Sequence, residues 1–267
     1  MARAKESPLF FHRYELKYHI PIELVPEIER YIAAYCEKDY FSEQAPGGYY
    51  TVNNLYLDSP NLSLLHSRLN KEDRRFNLRA RCYTENFSPP YFLEVKYKQN
   101  GKVKKYRADL DAGQWEEFSD NFNRYEYPFL SREKTDVGEN FIKFESLAHS
   151  LLAETKVQTR YQRLAYFSVY DDYARVTFDK NLVFREQDEL IFKKGDFSNY
   201  DHGLVFNPFT NVIMELKCTT QVPSWFLDLI RTFQLEKSSF SKYVGAVLDL
   251  YPSTNSNHDH ERVANSF

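Results

Sequence analysis

Apolar and polar residues alternate strictly along several stretches of the chain. In Phe92-Leu93-Glu94-Val95-Lys96-Tyr97-Lys98, a period of two puts Leu93, Val95 and Tyr97 on one face of a strand and Glu94, Lys96 and Lys98 on the other. The same acid-and-base design recurs in Arg13-Tyr14-Glu15-Leu16-Lys17-Tyr18 and in Met214-Glu215-Leu216-Lys217. Alternation also predicts strands over 9–20, 50–58, 76–83, 102–110, 157–170, 173–178, 181–185 and 210–218. Pro89-Pro90 and Asn100-Gly101 punctuate the stretch 74–110, the second pair being a strong hairpin signal. That stretch reads as a three-stranded meander whose polar face holds Arg79, Arg81, Lys96, Lys98, Lys105 and Arg107 against Glu94 alone.

Elsewhere the period lengthens to that of a helix. Apolar residues recur at helical spacing over 22–36, with Pro21 at the first turn, and over 112–122, 139–154 and 223–234. A short helix is predicted after Ser59-Pro60, with Ser59 as cap. Phe240-Ser241-Lys242-Tyr243 leads into a last apolar segment ending near Leu250. No linker rich in Gly, Ser or Pro divides these elements. The expected fold class is therefore α+β: one domain over 9–250, about nine strands in mostly antiparallel order, and helices packed on the sheet. Residues 251–267 are polar and are expected to form a disordered tail.

Composition sharpens this picture in three ways. Aromatic residues make up 17% of the 267, which suits strands. The formal net charge is −3, so nucleic acid is not an expected partner and any polyanion site must be a local concentration of cations. Cys36, Cys82 and Cys218 are widely spaced and form no CxxC pair, which predicts reduced thiols rather than a disulfide framework or a zinc site. No signal peptide and no apolar run long enough to span a membrane is evident.

Taken singly, an alternating charged strand faces water. Here the charged faces are cationic although the chain is net acidic, and the pattern returns in separate strands. Both features argue that the charged faces line a shared interior while helices cover the apolar faces. Such an interior suits a flexible polyphosphate, because Arg forks match phosphate oxygens and Lys adds compact charge. Carboxylates among the cations make sense as holders of Mg²⁺ or Mn²⁺, which take oxygen ligands and bridge to phosphate. Phosphoryl transfer needs positioning and charge neutralisation rather than a Cys or Ser nucleophile. Walker, GxGxxG, HExxH and Gly-x-Ser-x-Gly motifs are missing.

Eight segments in order resemble the VTC domain, the polyphosphate polymerase branch of the triphosphate tunnel metalloenzymes, related to the CYTH phosphatases. They are Arg13–Tyr18, Leu55–Asp58, Leu78–Arg81, Leu93–Lys96, Tyr161–Arg163, Ala174–Val176, Glu215–Lys217 and Phe240–Tyr243. The resemblance implies a closed antiparallel β tunnel of about eight to nine strands with helices outside. It implies an ATP:polyphosphate phosphotransferase that moves the γ-phosphate of ATP onto a growing chain, with Mn²⁺ or Mg²⁺ as cofactor. Carried over by position, Lys17, Arg79, Arg81, Lys96, Lys105, Arg163, Arg175 and Lys242 would bind phosphate and serve catalysis, and Glu215 would hold the metal. Glu94 and Glu15 are weaker metal candidates, placed by parity.

Other readings stand beside this one. A tripolyphosphatase or nucleoside triphosphatase of the same fold, and a non-catalytic polyphosphate-binding module, use the same basic set. Lys98 and Lys217 stand where a hydrolase could carry carboxylates, which favours polymerase or binder. Arg74, Arg75 and Lys71 read as a solvated turn or tunnel rim, and Lys98, Arg107 and Lys217 read equally as surface or supporting residues and as members of the site itself. The expected partners are ATP and inorganic polyphosphate. The expected location is cytoplasmic, at the inner face of a membrane only through a membrane-protein partner.

Overall fold

The computed structural model describes residues 14–99, 102–130, 138–171, 173–200, 211–219 and 221–251. The strands are β1 (Tyr14–Ile20), β2 (Cys36–Lys38), β3 (Tyr50–Asp58), β4 (Arg75–Cys82), β5 (Tyr91–Gln99), β6 (Lys102–Leu110), β7 (Glu154–Ser168), β8 (Ala174–Glu186), β9 (Ser198–Asn199), β10 (Val212–Cys218) and β11 (Lys237–Ser238). The helices are α1 (Val25–Ile32), α2 (Tyr40–Gln44), α3 (Ser63–Leu69), α4 (Ala112–Asn123), α5 (Glu139–Ser150), α6 (Ser224–Thr232) and α7 (Lys242–Leu250). All strands join one antiparallel sheet in the order β11-β1-β10-β8-β7-β3-β4-β5-β6, with β2 added on β7 and β9 on β8.

The expected closed tunnel of eight or nine strands is corrected on both counts. Among the described residues the sheet has 11 strands, and no backbone ladder joins β6 to β1 or β11. The outer edge of β1 is taken by β11, which pairs with Lys17 and Tyr18. The sheet nevertheless curls. Lys96 Nζ on β5 lies 2.6 Å from Glu15 Oε2 on β1, although the two strands lie far apart in the ladder. Side-chain charge spans the gap that hydrogen-bonded backbone does not.

Strand parity decides what the curl encloses. On the convex side, Tyr18, Ile20, Met214, Leu216, Val176, Phe178 and Leu164 pack under α1 and α6. Leu55, Leu57, Leu78, Ala80, Leu93 and Val95 pack under α4 and α5. These helices lie where the apolar faces require cover. Asp111 caps α4, accepting from Gln114 N while the Gln114 side chain accepts from the Asp111 N–H, so the helix turns sharply out of β6.

The last helix departs from the expectation that helices lie outside. Tyr243, Ala246 and Val247 of α7 pack with Tyr50, Val52, Tyr56, Tyr161, Ala165 and Ile213, all side chains of the concave face. At Gly245 an added Cβ would stand 3.3 Å from the Phe240 and Tyr200 rings, so the close seat of α7 needs glycine there. Tyr243 also donates to Asp58 Oδ2 at 2.5 Å. Asp58 in turn accepts from Leu64 N and Leu65 N, so it, together with Ser59, caps α3, which begins three residues later than a cap at Ser59 predicts.

Other boundaries shift modestly. The helix predicted over 139–154 ends at Ser150, and β7 begins at Glu154. The two strands predicted over 173–178 and 181–185 are one strand, β8, with Asn181 at positive φ. The loop predicted after Lys193 contains β9, and β2 and α2 follow α1 where no element was expected. Asn100-Gly101, residues 9–13 and the tail over 252–267 lie outside the described residues.

Candidate functional site

Cross-strand register aligns the charged positions into rows on the concave face. Lys17 faces Glu215, which faces Thr177. One step along, Glu15 faces Lys217, which faces Arg175. On the other side, Arg79 faces Glu94, which faces Arg107, and Asn77 faces Lys96, which faces Lys105. Arg163 sits between Tyr50 and Asp179. Seven of the eight predicted phosphate-binding cations, and Glu15, Glu94 and Glu215, therefore lie on one concave face with Lys217 and Arg107, and the eighth, Lys242, reaches Asp179 on that face from the start of α7.

The cations are held by carboxylates in five groups. Arg163 Nε and Nη2 grip Asp179 at 2.6 and 2.7 Å, and Lys242 Nζ donates to Asp179 Oδ2 at 2.7 Å. Burial pushes the Asp179 carboxyl up, but Arg163 and Lys242 pull harder and bring it to about 2. Arg175 Nη2 donates to Asp39 Oδ2 at 2.8 Å, while Asp39 Oδ1 accepts from Ser42 N at the start of α2. Glu94 accepts from Arg79 Nε at 2.6 Å and from Arg107 Nε and Nη2 at 3.0 and 2.7 Å, with Arg81 Nη1 at 3.8 Å. Burial opposes its charge, yet the three guanidinium groups hold it well below the usual carboxylate range.

Glu15 binds Lys96 Nζ at 2.6 Å and Lys105 Nζ at 3.6 Å. Glu215 lies between two ammonium groups, Lys217 Nζ at 2.5 Å from Oε2 and Lys17 Nζ at 3.4 Å from Oε1. Lys17 also donates to the Phe240 carbonyl at 2.6 Å, which ties the approach to α7 to β1. Burial brings Lys217 down to about 8 against the pull of Glu215. Burial and Lys96 bring Lys105 down to about 7, although its side chain is 42% exposed and water screens part of that effect. His19 is pushed down to about 4 by burial, Lys17 and Lys242, so it is neutral at pH 7.

Thr177, the cross-strand neighbour of Glu215, has a buried Oγ1 without a hydrogen-bond partner among the described residues. A carboxylate next to an unsatisfied hydroxyl is an oxygen-rich corner that suits a hard divalent cation. Glu15, Glu94 and Glu215 do not converge further. Among the described residues no group of three or more His, Cys, Asp and Glu side chains gathers as a metal centre. The donor set thus fits a cation held by Glu215 and completed by ligand phosphates, rather than an all-protein cage.

The sequence reading missed Asp179 and Asp39, gave Thr177 no role and left Lys217 and Arg107 undecided. Asp179 shares parity with Arg175 and Thr177, and treating 173–185 as one strand would have placed it inward. Asp39 had no such signal, because it follows a three-residue strand and starts a helix.

The VTC domain model matches residues 12–251. Among solved structures, a putative adenylate cyclase from Bacillus halodurans is similar at 12% identity and a TM-score of 0.50, over 88% of this chain and 96% of that one. A putative adenylyl cyclase from Hippeastrum, described as having a dominant triphosphatase activity, is similar at 15% identity and a TM-score of 0.45, over 86% and 92%. Likeness at such identity speaks to fold alone. No curated protein matches the chain. No helix among the described residues is long and apolar enough to cross a membrane. With the family model spanning nearly all of the sheet and every charged group described above, the chain belongs to the VTC domain family.

Proposed function

We propose that this chain is a polyphosphate polymerase that transfers the γ-phosphate of ATP to the end of an inorganic polyphosphate chain, releasing ADP. The observation that carries the reading is the excess of cations over carboxylates on one concave face of a net-acidic protein: Lys17, Arg79, Arg81, Lys96, Lys105, Arg163, Arg175 and Lys242, joined by Arg107 and Lys217. Phosphoryl transfer needs an in-line arrangement of donor and acceptor and neutralisation of the charge on the transferred group. Arg79, Arg81, Arg163 and Arg175 would grip phosphate oxygens, and Lys17, Lys96 and Lys242 would add point charge near the transferred group. Because their partners are buried or half-buried carboxylates of the same chain, these side chains are held in place before a ligand arrives, which lowers the ordering cost of binding.

Glu215, with Thr177 Oγ1 beside it, is the group that would hold Mn²⁺ or Mg²⁺, which when bound would supply neutralisation of phosphate charge. Lys217 would shift from Glu215 to phosphate when that carboxylate is engaged. The proposed setting is cytoplasmic, with a membrane-protein partner to receive the polymer.

The test is incubation of pure protein with ATP and Mn²⁺, with products resolved by length. Long chains support the proposal. Release of free phosphate alone would make the protein a triphosphatase. Neither product, with tight polyphosphate binding, would make it a binding module.

A further inference from the structure

Three basic side chains stand apart from the carboxylate-held groups. Arg75 opens β4, and Lys98 lies near the end of β5 as its direct cross-strand partner, next to the Asn77–Lys96 pair on the same face. Arg68 belongs to the last turn of α3, which packs against the start of β4. Its guanidinium is depressed by burial and by Arg75, and it is also within the field of Tyr56 and Glu15 of the concave face. Lys98 is depressed by burial and by Arg75, Arg68 and Lys96 in turn. Four cations thus gather at the end of the concave face where β4 begins.

Among the described residues, no carboxylate lies within 4.0 Å of Arg68, Arg75 or Lys98. Arg75 donates to the backbone carbonyl of Glu72. The acid that acts on Arg68 and Lys98 is Glu15, whose oxygens Lys96 and Lys105 already occupy. All three side chains are half-buried. Like charges directly opposite on an antiparallel ladder destabilise it, and partial burial limits relief by water. Everywhere else this face offsets its cations with a carboxylate. At this end it does not, although the chain as a whole has acid to spare.

We propose that Arg68, Arg75 and Lys98 form a second polyanion site that holds a segment of a linear polyphosphate chain beyond the triphosphate in the carboxylate-lined set. The proposal rests on the polyphosphate reading above and adds to it a preference for chains over short phosphates. A tripolyphosphate seated on the carboxylate-held cations would leave this end empty. A long chain would fill it and remove the repulsion between Arg75 and Lys98.

The full chain and its Arg75→Gln/Lys98→Gln variant would each be titrated with tripolyphosphate and with long-chain polyphosphate over a series of salt concentrations. The variant is expected to bind tripolyphosphate within about twofold of the parent and long chains about tenfold or more weakly, since charge-assisted contacts to phosphate are lost only for the chain. Its salt dependence for long chains should flatten by a slope of about 2, one per cation removed. Its thermal midpoint should hold or rise, because like-charge repulsion is removed, and this shows that it folds. Arg68→Gln should act in the same direction. Equal loss for both ligands, or no loss for either, would overturn the second site. A parent protein that binds tripolyphosphate as tightly as long chains would overturn it too, while leaving the first site standing. A parent that binds neither would overturn the polyphosphate reading itself.

Discussion

Glu15 of β1 and Lys96 of β5 meet at 2.6 Å, with β10, β8, β7, β3 and β4 between their strands in the sheet. Lys105 of β6 reaches the other oxygen of the same carboxylate at 3.6 Å. One acid thus gathers two cations from the far edge of the sheet, where no backbone ladder does so. Glu15 sets the curl of the concave face as much as it tunes its charge. Burial opposes its ionisation, but Lys96, Lys217 and Lys105 keep it ionised far below its ordinary value.

Replacing Glu15 by Gln should therefore loosen the apo protein while sharpening its response to anions. The loss is expected at about 1–3 kcal/mol, the usual penalty for leaving charged hydrogen-bonding groups unmatched. Thermal melts with and without tripolyphosphate would show it: the apo midpoint falls, and the shift on adding ligand grows because Lys96 and Lys105 are released. A variant with an unchanged apo midpoint would remove Glu15 from the curl.

Asp179 anchors Arg163 and Lys242 with a fully buried carboxylate. Asp179→Asn leaves two buried cations short of charge and should cost about 3–5 kcal/mol in urea unfolding. Because both cations also face the proposed ligand, tripolyphosphate should restore much of the loss. Failure of the anion to restore stability would mean that Arg163 and Lys242 serve α7 docking alone.

Glu215→Gln tests the metal assignment directly. Turnover of ATP should fall by at least about a hundredfold, since the carboxylate that would hold the ion is lost. Tripolyphosphate affinity without metal should stay within a few-fold, as Lys17 and Lys217 are freed for phosphate. Turnover surviving near the parent level would show that Glu215 does not hold the ion.

The depressed ammonium groups predict a pH dependence. Lys217 and Lys105 lose protons near 8 and 7 in the folded chain. The unfolded chain keeps those protons up to the ordinary lysine range, so folding should become more favourable as pH rises from about 7 toward 10. Anion binding should run the other way, weakening from pH 6 to 9 as both groups become neutral. Binding at pH 8 should take up protons, measurable by calorimetry in buffers of different ionisation enthalpy. Lys105→Arg should flatten the binding profile; a profile unchanged by it would assign the dependence to Lys217.

Period and parity in the sequence were enough to set the strands, and so the sides. Leu93, Val95 and Tyr97 against Glu94, Lys96 and Lys98 is local information, because successive side chains on a strand alternate whatever the fold. The same logic placed α1, α4, α5 and α6 over apolar faces, and the excess of Lys and Arg on charged positions in a net-acidic chain marked those faces as interior. Tertiary structure alone decided which charges meet. Glu15 reaches Lys96 only because the sheet curls, and Asp39 reaches Arg175 only because β2 and α2 return to β7. It also decided that no ladder closes the sheet among the described residues and that α7 enters the concave side, seated there by Gly245 and by Tyr243 on Asp58. Alternation is a property of neighbours along the chain. Ion pairing, closure and the seat of a helix depend on residues scores of positions apart, whose separation only the folded sheet defines.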